Sequence, residues 1–291
     1  MATPVLAQEN SEVANLQPSG NWVLDYADTR CRIVRTFERE TGGDTTLLFF
    51  EQYEPSNAYS WLLAGEAVPN RSTVSVRFGP VNESFEQSGR IIEFGDYDRV
   101  IRGHGFRSSE NIIITGSEKR GRTARKSTPV TPAVEKQPAT PPIGDVEWLD
   151  IEAGTSRAVR IPLAEMEQVS AAMDDCMDNL VAHWGIHLED HDRVAERAKM
   201  TNVADIARRV FRDYPSAALR QGRQAEIMLR LIIEEDGSAS QCVRTDLTEA
   251  EMFDVGLCRL VMKRGEFEPA RDSEGKPVRH YLIQRIRYVI S

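Results

Sequence analysis

FEPARDSEGKPV, residues 267–278, is the stretch that decides how the C-terminal part of this chain folds. Phe267 is placed to anchor the chain in a core, and the proline two residues later fixes a bend. Residues 272–275 make a turn, in which glycine tolerates a positive φ angle. Pro277 then opens a strand at a position where its missing N–H group costs no hydrogen bond. Because a slip of one residue would turn the apolar face of that strand outward, we predict that this turn fixes the register of a small sheet.

The strand that follows alternates between apolar and charged residues up to the C-terminus. Its apolar face holds Val278, Leu282, Ile286, Tyr288 and Ile290, and Arg279, Arg285 and Arg287 alternate with them. Upstream, we predict a helix over 205–214, a strand over 226–235, a hairpin turn at Asp236-Gly237 and a return strand over 238–245. Thr248 and Glu251 form a capping box that opens a helix over 248–265. The predicted order is β-β-α-β, a sheet with one face covered by a helix.

The N-terminal part is rich in short strand-like segments. They are NWVLDY (21–26), CRIVRTF (31–37), TTLLFFEQY (45–53), TVSVRF (73–78), RIIEF (90–94) and NIIIT (111–115), and turn-forming residues separate them. This pattern predicts an antiparallel sheet or barrel. Residues 146–162 predict a hairpin, and residues 163–184 predict an amphipathic helix with a methionine-rich apolar face.

The fold class is therefore predicted to be α+β, with a β-rich N-terminal domain that carries a packed amphipathic helix. We expect residues 1–20 to be disordered and residues 21–188 to form the β-rich domain. The proline-rich, basic stretch 117–145 is predicted to be a linker inserted into that domain. The polar segment 188–204 is the predicted boundary, and residues 205–291 form the C-terminal domain.

Composition excludes some classes of function. A formal net charge of -9 argues against a large nucleic-acid interface. No apolar stretch approaches the roughly 18 residues that a membrane-spanning helix needs. The first ten residues, MATPVLAQEN, are typical of the end of a signal peptide, with Val5 and Ala7 in the small-residue positions and Gln8 as the first mature residue. A disordered terminus is the alternative.

The cysteines are Cys31, Cys176, Cys242 and Cys258. An even count is typical of disulfides in an oxidising compartment, and four cysteines allow three pairings. Four free thiols in the cytosol are the alternative. Because Cys176 lies on the apolar face of the predicted helix, a bond to Cys31 would clamp that helix onto the β-rich domain.

The C-terminal pattern resembles the C-terminal domain of TonB. The matching residues are Tyr214-Pro215-Ser216, Ala218-Leu219, Gly222, Glu235-Asp236-Gly237, Asp254, the run from Phe267 to Asp272, Gly275 and Pro277-Val278. In a subset of such domains a cysteine in the second strand pairs with one in the helix, and Cys242 and Cys258 match those positions. The resemblance implies this small fold, a periplasmic location and a link to TonB-dependent transmembrane transport.

The chain also departs from that family. Ala225 stands where the family usually has glycine, and residues 244–247 replace a Ser-Ser-Gly-like segment. TonB itself has a membrane anchor and a long proline-rich rod before this domain, whereas here a β-rich unit precedes it. The resemblance therefore implies the fold and the compartment, and not energy transduction by this chain alone.

Catalytic signatures are absent from the sequence: it contains no GxSxG, P-loop, HExxH or dinucleotide-binding motif. His183, His187 and His191 recur every four residues and on one continuous helix could bind zinc. Gly185 is predicted to end the helix between them, which favours solvated histidines. We therefore predict no catalytic residues, no metal and no cofactor; a metal-dependent or aspartic hydrolase in the N-terminal part is the alternative.

The predicted function is a non-enzymatic periplasmic interaction module. Such a sheet binds an envelope or outer-membrane protein by adding a strand at its edge. We predict the last strand, or its neighbour at the edge, as the docking line. The partner-binding residues would be Arg279, Tyr281, Ile283, Arg285 and Arg287; the alternative for the arginines is an ordinary solvated face. A structural role, with homodimers formed through edge strands, is the competing hypothesis.

Overall fold

The structure is a computed structural model. It describes residues 13–39, 42–43, 45–56, 59–69, 73–80, 83–88, 97, 99–104, 112–116, 141–154, 158–248, 250–253 and 256–290. Three sequence predictions lie outside the described residues: the signal-peptide pattern in 1–12, the strand at 90–94 and most of the linker 117–145.

The chain divides into two compact units of mixed α and β structure. The first comprises residues 1–107 and 137–180, and the second comprises residues 108–136 and 181–291. The division therefore falls at 180/181 rather than within 188–204. The reason is that short strands inside 188–204 pair with strands of the C-terminal sheet region, although the polar sequence there gives no sign of them.

The first unit is built on ten strands among the described residues. They are β1 (Val13–Pro18), β2 (Val23–Ala27), β3 (Arg30–Arg39), β4 (Thr46–Gln52), β5 (Ser60–Ala64), β6 (Thr73–Gly79), β7 (Phe85–Ser88), β8 (Val100–His104), β10 (Trp148–Glu152) and β11 (Ala158–Pro162); β9 (Ile112–Gly116) belongs to the second unit. The order is β7-β6-β10-β11-β1-β3-β4-β5-β8, and β2 also pairs with β3.

The strand β1 joins the two halves of this sheet. Its first residues run parallel to β11, and its last residues run antiparallel to β3. Leu16 is completely buried. The prediction that residues 1–20 are disordered is therefore wrong for β1. Of residues 15–18, whose side chains the structure describes, only Leu16 is buried, so a strand this short shows no clear alternation in the sequence.

A helix covers one face of the first unit's sheet. This helix, α1 (Met166–His183), is shorter than the predicted 163–184. Its buried stripe comprises Met166, Val169, Met173, Cys176 and Met177. A disulfide joins Cys176 to Cys31 of β3, so the helix is covalently fixed to the strand beneath it. Gly185, with φ of 74°, follows the helix end, as the sequence predicts.

The second unit contains the remaining elements. They are β9, α2 (Leu188–Asp192), β12 (Val194–Glu196), β13 (Lys199–Met200), α3 (Val203–Arg212), α4 (Ser216–Arg220), β14 (Ala225–Ile233), β15 (Ala239–Asp246), α5 (Leu257–Arg264), β16 (Phe267–Glu268), β17 (Ala270–Asp272), β18 (Pro277–Val278) and β19 (His280–Ile290). The main sheet has the order β15-β14-β19-β9. Two small ladders, β12-β17-β18 and β13-β16, lie outside the main sheet.

One face of this main sheet packs on the helices. Its side chains are Ile227, Leu229 and Leu231 of β14 and Leu282, Ile286 and Tyr288 of β19, and they share a core with Ile206 and Val210 of α3 and Leu257 and Val261 of α5. Tyr288 packs among aromatic rings, and its ring centroid lies 4.6 Å from that of Phe253. The alternation read from the last strand thus assigns its core face correctly.

The predicted helix 248–265 is divided in the structure. A single 3-10 turn covers Glu251–Phe253, and α5 begins only after Gly256, which has φ of 64°. Thr248 does not cap a helix: its Oγ1 accepts a hydrogen bond from the backbone N–H of Glu226 at 2.9 Å. The capping-box prediction is wrong because the threonine hydroxyl is used to close the edge of the sheet.

The stretch 267–278 forms the turn that the sequence predicts. Asp272 accepts hydrogen bonds through Oδ1 from the backbone N–H groups of Glu274 and Lys276, at 3.0 and 2.9 Å. Gly275 takes φ of 81°. The turn joins β17 to β18, whose pairing places the completely buried Ala270 opposite Val278.

Candidate functional site

The strand β19 is the longest strand described and lies inside the sheet. On one side its residues His280–Tyr288 pair antiparallel with all of β14. On the other side its residues Ile286–Ile290 pair parallel with β9. Among the described residues, no strand pairs with that second side of β19 before Ile286. The edge at which a partner strand would add to β19 is therefore already occupied by β9 over Ile286–Ile290.

The strand predicted at 111–115 does not belong to the N-terminal β-rich domain, where the sequence pattern places it. The structure pairs β9 with β19 of the second unit instead. The local pattern identified a strand correctly. It could not identify the partner, because a parallel pairing has no short turn to reveal it.

The predicted partner-binding side chains lie on one face of β19, opposite the helix-covered core. Tyr281, Ile283 and Arg285 are only 3%, 6% and 6% exposed. Arg279 is partly buried; its Nε donates to Glu234 at 3.1 Å, and its Nη1 donates to the carbonyl of Gly185. Arg287 is partly buried as well. Because they are buried, these side chains offer little surface to a partner.

Charged groups are buried on this same face. The guanidinium of Arg285 forms an ion pair with Glu226 at 3.2 Å, and both side chains are nearly inaccessible. Arg230 lies over the indole ring of Trp184, 4.4 Å from its centroid. The Nε and Nη1 atoms of Arg230 have no hydrogen-bond partner among the described residues. Burial lowers the pKa of the Arg230 guanidinium to about 10.

A pair of stacked histidines lies where β19 begins. His191 Nδ1 is 2.8 Å from His280 Nε2, and the rings are nearly parallel with centroids 5.1 Å apart. His280 Nδ1 lies 3.1 Å from the carbonyl oxygen of Tyr281, so Nδ1 must carry the donated proton. Neutral His280 then accepts from His191 through Nε2. Burial, with a smaller contribution from His191, lowers the pKa of His280 to about 4.

The three histidines considered for zinc are not brought together on one helix. His183 ends α1, His187 precedes α2, and His191 lies within α2. His183 and His187 are exposed, as expected, whereas His191 is half-buried against His280. In the part of the chain that the structure describes, no group of three or more potential metal ligands is found.

The other edge of the sheet is β15. Its outer side has no further strand among the described residues, and a register irregularity interrupts its pairing near Ile233. A disulfide joins Cys242 of this strand to Cys258 of α5, which is the pair that the resemblance implies. Arg244 donates to the carboxylate of Asp246 at 2.6 Å. The irregular, charged edge is of the kind that discourages unwanted strand pairing.

The first unit contains a buried carboxylate that the sequence analysis missed. Glu51 of β4 receives hydrogen bonds from Arg32 Nε at 2.7 Å, Arg102 Nη2 at 3.1 Å and the hydroxyl of Tyr53 at 3.0 Å. Burial alone would raise the pKa of this carboxyl, but Arg102, Arg32 and Arg30 hold it below its ordinary value. Both oxygens are engaged, so this cluster is an ion-pair network that joins β3, β4 and β8. The residues of this network are far apart in the sequence, and no local sequence motif indicates that they lie together.

No helix among the described residues is long and apolar enough to cross a membrane. Residues 212–290 match the family model described as the Gram-negative bacterial TonB protein C-terminal domain. The match covers the region from the end of α3 to the end of β19. No curated protein and no solved structure matches the chain.

Proposed function

We propose that this protein is a periplasmic, non-enzymatic adaptor. The match of residues 212–290 to the TonB C-terminal family, a family of envelope protein-interaction modules, supports this proposal. The adaptor's C-terminal sheet binds an extended segment of an envelope or outer-membrane protein by strand addition. The binding forms main-chain hydrogen bonds along the side of β19 that faces away from β14. We propose in addition a link to TonB-dependent transmembrane transport, which the family match supports.

The observation that carries this proposal is the contrast between the side chains and the main chain of β19. The side chains of Tyr281, Ile283 and Arg285 are buried, so they offer little to a partner. Among the described residues no strand pairs with that side of β19 before Ile286. The main-chain carbonyl oxygens of Tyr281 and Arg285 accept hydrogen bonds from the side chains of His280 and Gln284, which an added strand would replace. Strand addition takes its affinity from main-chain hydrogen bonds and needs few exposed side chains.

Site-specific photo-cross-linking in the native cells tests this proposal. A photoreactive phenylalanine analogue replaces Tyr281, in the part of β19 that has no strand on its second side among the described residues, in one variant, and Gln241 of β15 in a matched control. We expect an envelope protein to be cross-linked from position 281 and not from position 241. Cross-links from Gln241 alone, to a second copy of the chain, would support the structural, dimer-forming role instead and contradict the adaptor.

A further inference from the structure

The helices of the second unit carry an excess of positive charge. Together α3, α4 and α5 contain seven arginine or lysine residues and a single acidic residue, Asp205. The chain as a whole, in contrast, has a formal net charge of -9. Six of the seven basic residues are exposed, and we call them the basic helical face: Arg208, Arg212, Arg220, Arg259, Lys263 and Arg264.

The helices α3 and α5 lie side by side and run in opposite directions. At one end, Nδ2 of Asn202, the residue before α3, donates to the carbonyl oxygen of Arg264 at 2.8 Å. At the other end, the ring of Tyr214, just after α3, lies 5.7 Å from that of Phe253, which precedes α5. The two helices share the core of the sheet through buried apolar residues, namely Ile206, Val210, Leu257 and Val261. Their exposed basic side chains therefore face solvent from neighbouring helices.

The spacing of the basic residues does not favour the helices themselves. Arg208 and Arg212 are four residues apart in α3, and Arg259 and Lys263 are four residues apart in α5. Side chains at this spacing are neighbours on a helix surface, and like charges there are destabilising. The helix dipole favours a cation in the last turn, but Arg208 and Arg259 lie outside the last turns.

Most of these charges are also uncompensated. Arg208 forms an ion pair with Asp205. For the other five residues of the basic helical face, no ion pair is found in the part of the chain that the structure describes. Their side chains are thus free to approach an anionic group that the protein does not itself contain.

An apolar side chain is exposed in the middle of this charge. Met262 of α5 is 39% exposed and lies directly before Lys263. A helix that lies on a membrane surface combines these two features, because its apolar side chains enter the boundary between headgroups and acyl chains while its cations contact lipid phosphates. A solvated helix needs cations but not an exposed methionine among them.

We infer that the basic helical face binds the headgroups of an anionic phospholipid bilayer, with α3 and α5 lying along the surface and Met262 entering it. The cations are spread over three helices and are not held in a fixed geometry by partner groups. Such an arrangement fits a laterally mobile array of phosphates better than it fits one carboxylate, which arginine binds in a fixed, two-pronged geometry. This inference goes beyond the proposed adaptor role, since strand addition at β19 requires no lipid.

Co-sedimentation with lipid vesicles tests the inference, using the full chain with both disulfides intact. One set of vesicles contains phosphatidylglycerol and phosphatidylcholine in equal amounts, and the other contains phosphatidylcholine alone. We expect binding to the anionic vesicles only. Binding should weaken as salt is added, because the screening length falls from about 10 Å at 0.1 M to about 3 Å at 1 M ionic strength.

Substitutions that remove charge locate the surface. Each basic residue near an anionic membrane contributes about 1 kcal/mol, which corresponds to about 5-fold in partitioning. Arg212→Gln with Arg259→Gln should therefore weaken binding to the anionic vesicles by about 25-fold. Arg212→Lys with Arg259→Lys keeps both charges and should bind like the wild type. The matched control, Lys276→Gln, removes an exposed cation of the turn at 272–276 and should change binding by less than about 2-fold.

A second substitution tests the contact of Met262 without changing any charge. Met262→Ser should weaken binding to the anionic vesicles by about 3-fold or more, because an apolar side chain no longer leaves water. Leu188→Ser is the matched control, since Leu188 of α2 is similarly exposed, at 37%, and lies outside the basic helical face. It should leave binding unchanged.

Three results would overturn the inference. The first is equal binding to both kinds of vesicle, or no binding to the anionic vesicles at low salt. The second is equal binding of the wild type and of Arg212→Gln with Arg259→Gln, since another surface would then be responsible. The third is binding of the wild type to poly-glutamate but not to anionic vesicles, with loss of that binding in the same variant. The face would then recognise an acidic protein rather than lipid.

The inference and the adaptor role can fail separately. If the anionic vesicles are bound but no envelope protein is cross-linked from position 281, the lipid surface stands and the adaptor role fails. If an envelope protein is cross-linked from position 281 but no vesicle is bound, the adaptor role stands and the lipid surface is overturned.

Discussion

Tyr288 of β19 lies opposite Ile114 of β9 in a parallel register, while its ring is buried between the sheet and the helices. One residue therefore links the core of the C-terminal domain to the edge at which a partner is proposed to add. Its ring lies 5.1 Å from that of Tyr214, between centroids. The packing that holds the fold therefore also positions the edge of β19.

The two disulfides should differ in their contribution to stability. They close loops with sequence separations of 145 residues for Cys31–Cys176 and 16 residues for Cys242–Cys258. In the chain-entropy model these loops correspond to about 5 and about 3 kcal/mol. Replacing both cysteines of a pair by alanine should therefore lower the free energy of unfolding more for the first pair, as measured by calorimetry. Equal losses, or no loss for the first pair, would contradict the entropic account.

The buried arginines Arg230 and Arg285 should respond oppositely to the same substitution. Arg285→Met leaves the carboxylate of Glu226 buried without its cation, which costs about 3–5 kcal/mol. Arg230→Met removes a buried guanidinium that has unpaired nitrogens among the described residues. It should be neutral or stabilising by about 1–2 kcal/mol, within the range found for replacing buried charges with apolar groups.

Denaturant unfolding of these two variants and the wild type provides the measurement. The two substitutions share residue type, burial and sheet face, so they control for each other. If Arg230→Met lowers the free energy of unfolding as much as Arg285→Met does, the contact of Arg230 with Trp184 stabilises the fold by more than the desolvation of the Arg230 guanidinium costs.

Stability should fall with acidity because of His280. Its pKa is about 4 in the folded protein, below the ordinary value of 6.5. Between pH 4 and pH 6.5 the unfolded chain binds a proton at this histidine that the folded chain does not bind. The contribution of neutral His280 to the free energy of unfolding is therefore complete above pH 6.5. It is lost progressively as the pH falls to about 4, by at most about 1.4 kcal/mol per pH unit.

The matched variant for this prediction is His280→Gln, which cannot take up the proton. The difference in unfolding free energy between wild type and variant should shrink from pH 7 to pH 4.5. A difference that is constant over this range would mean that the histidine pair does not titrate on unfolding.

The carboxylate of Glu51 should be essential to the first unit. Glu51→Gln leaves the guanidiniums of Arg32 and Arg102 without their anion, and we expect a loss of about 3–5 kcal/mol. Tyr53→Phe removes one hydrogen bond to the same carboxylate and should cost about 1–3 kcal/mol. If the two losses are equal, the cluster does not act as an ion-pair network. Thermal unfolding followed by near-ultraviolet circular dichroism, which is sensitive to the buried aromatic residues of this unit, separates the outcomes.

Local chemistry made much of the C-terminal fold predictable. The turn at 272–275 and the hairpin at Asp236-Gly237 are specified by glycine and aspartate at positions that only a few turn types accept. Gly237 has φ of 84°, and a β-carbon there would lie 2.9 Å from the carbonyl oxygen of Phe267. Such positions are readable because their constraint lies within a few residues.

Long-range relationships were not predictable in the same way. The partner of β9 lies more than a hundred residues away, and the Arg285–Glu226 pair joins two strands that share no turn. An arginine on an alternating strand looks like a solvated residue unless its buried counter-ion is known. The sequence therefore does not reveal that the side chains predicted to bind a partner lie on a buried face of β19.

The most direct test of strand addition at β19 is amide hydrogen exchange of the full chain with and without the envelope protein that is cross-linked from position 281. The account predicts slower exchange along residues 280–285 of β19 and no change in β15. Protection confined to β15 or to the first unit, with β19 unaltered, would contradict it.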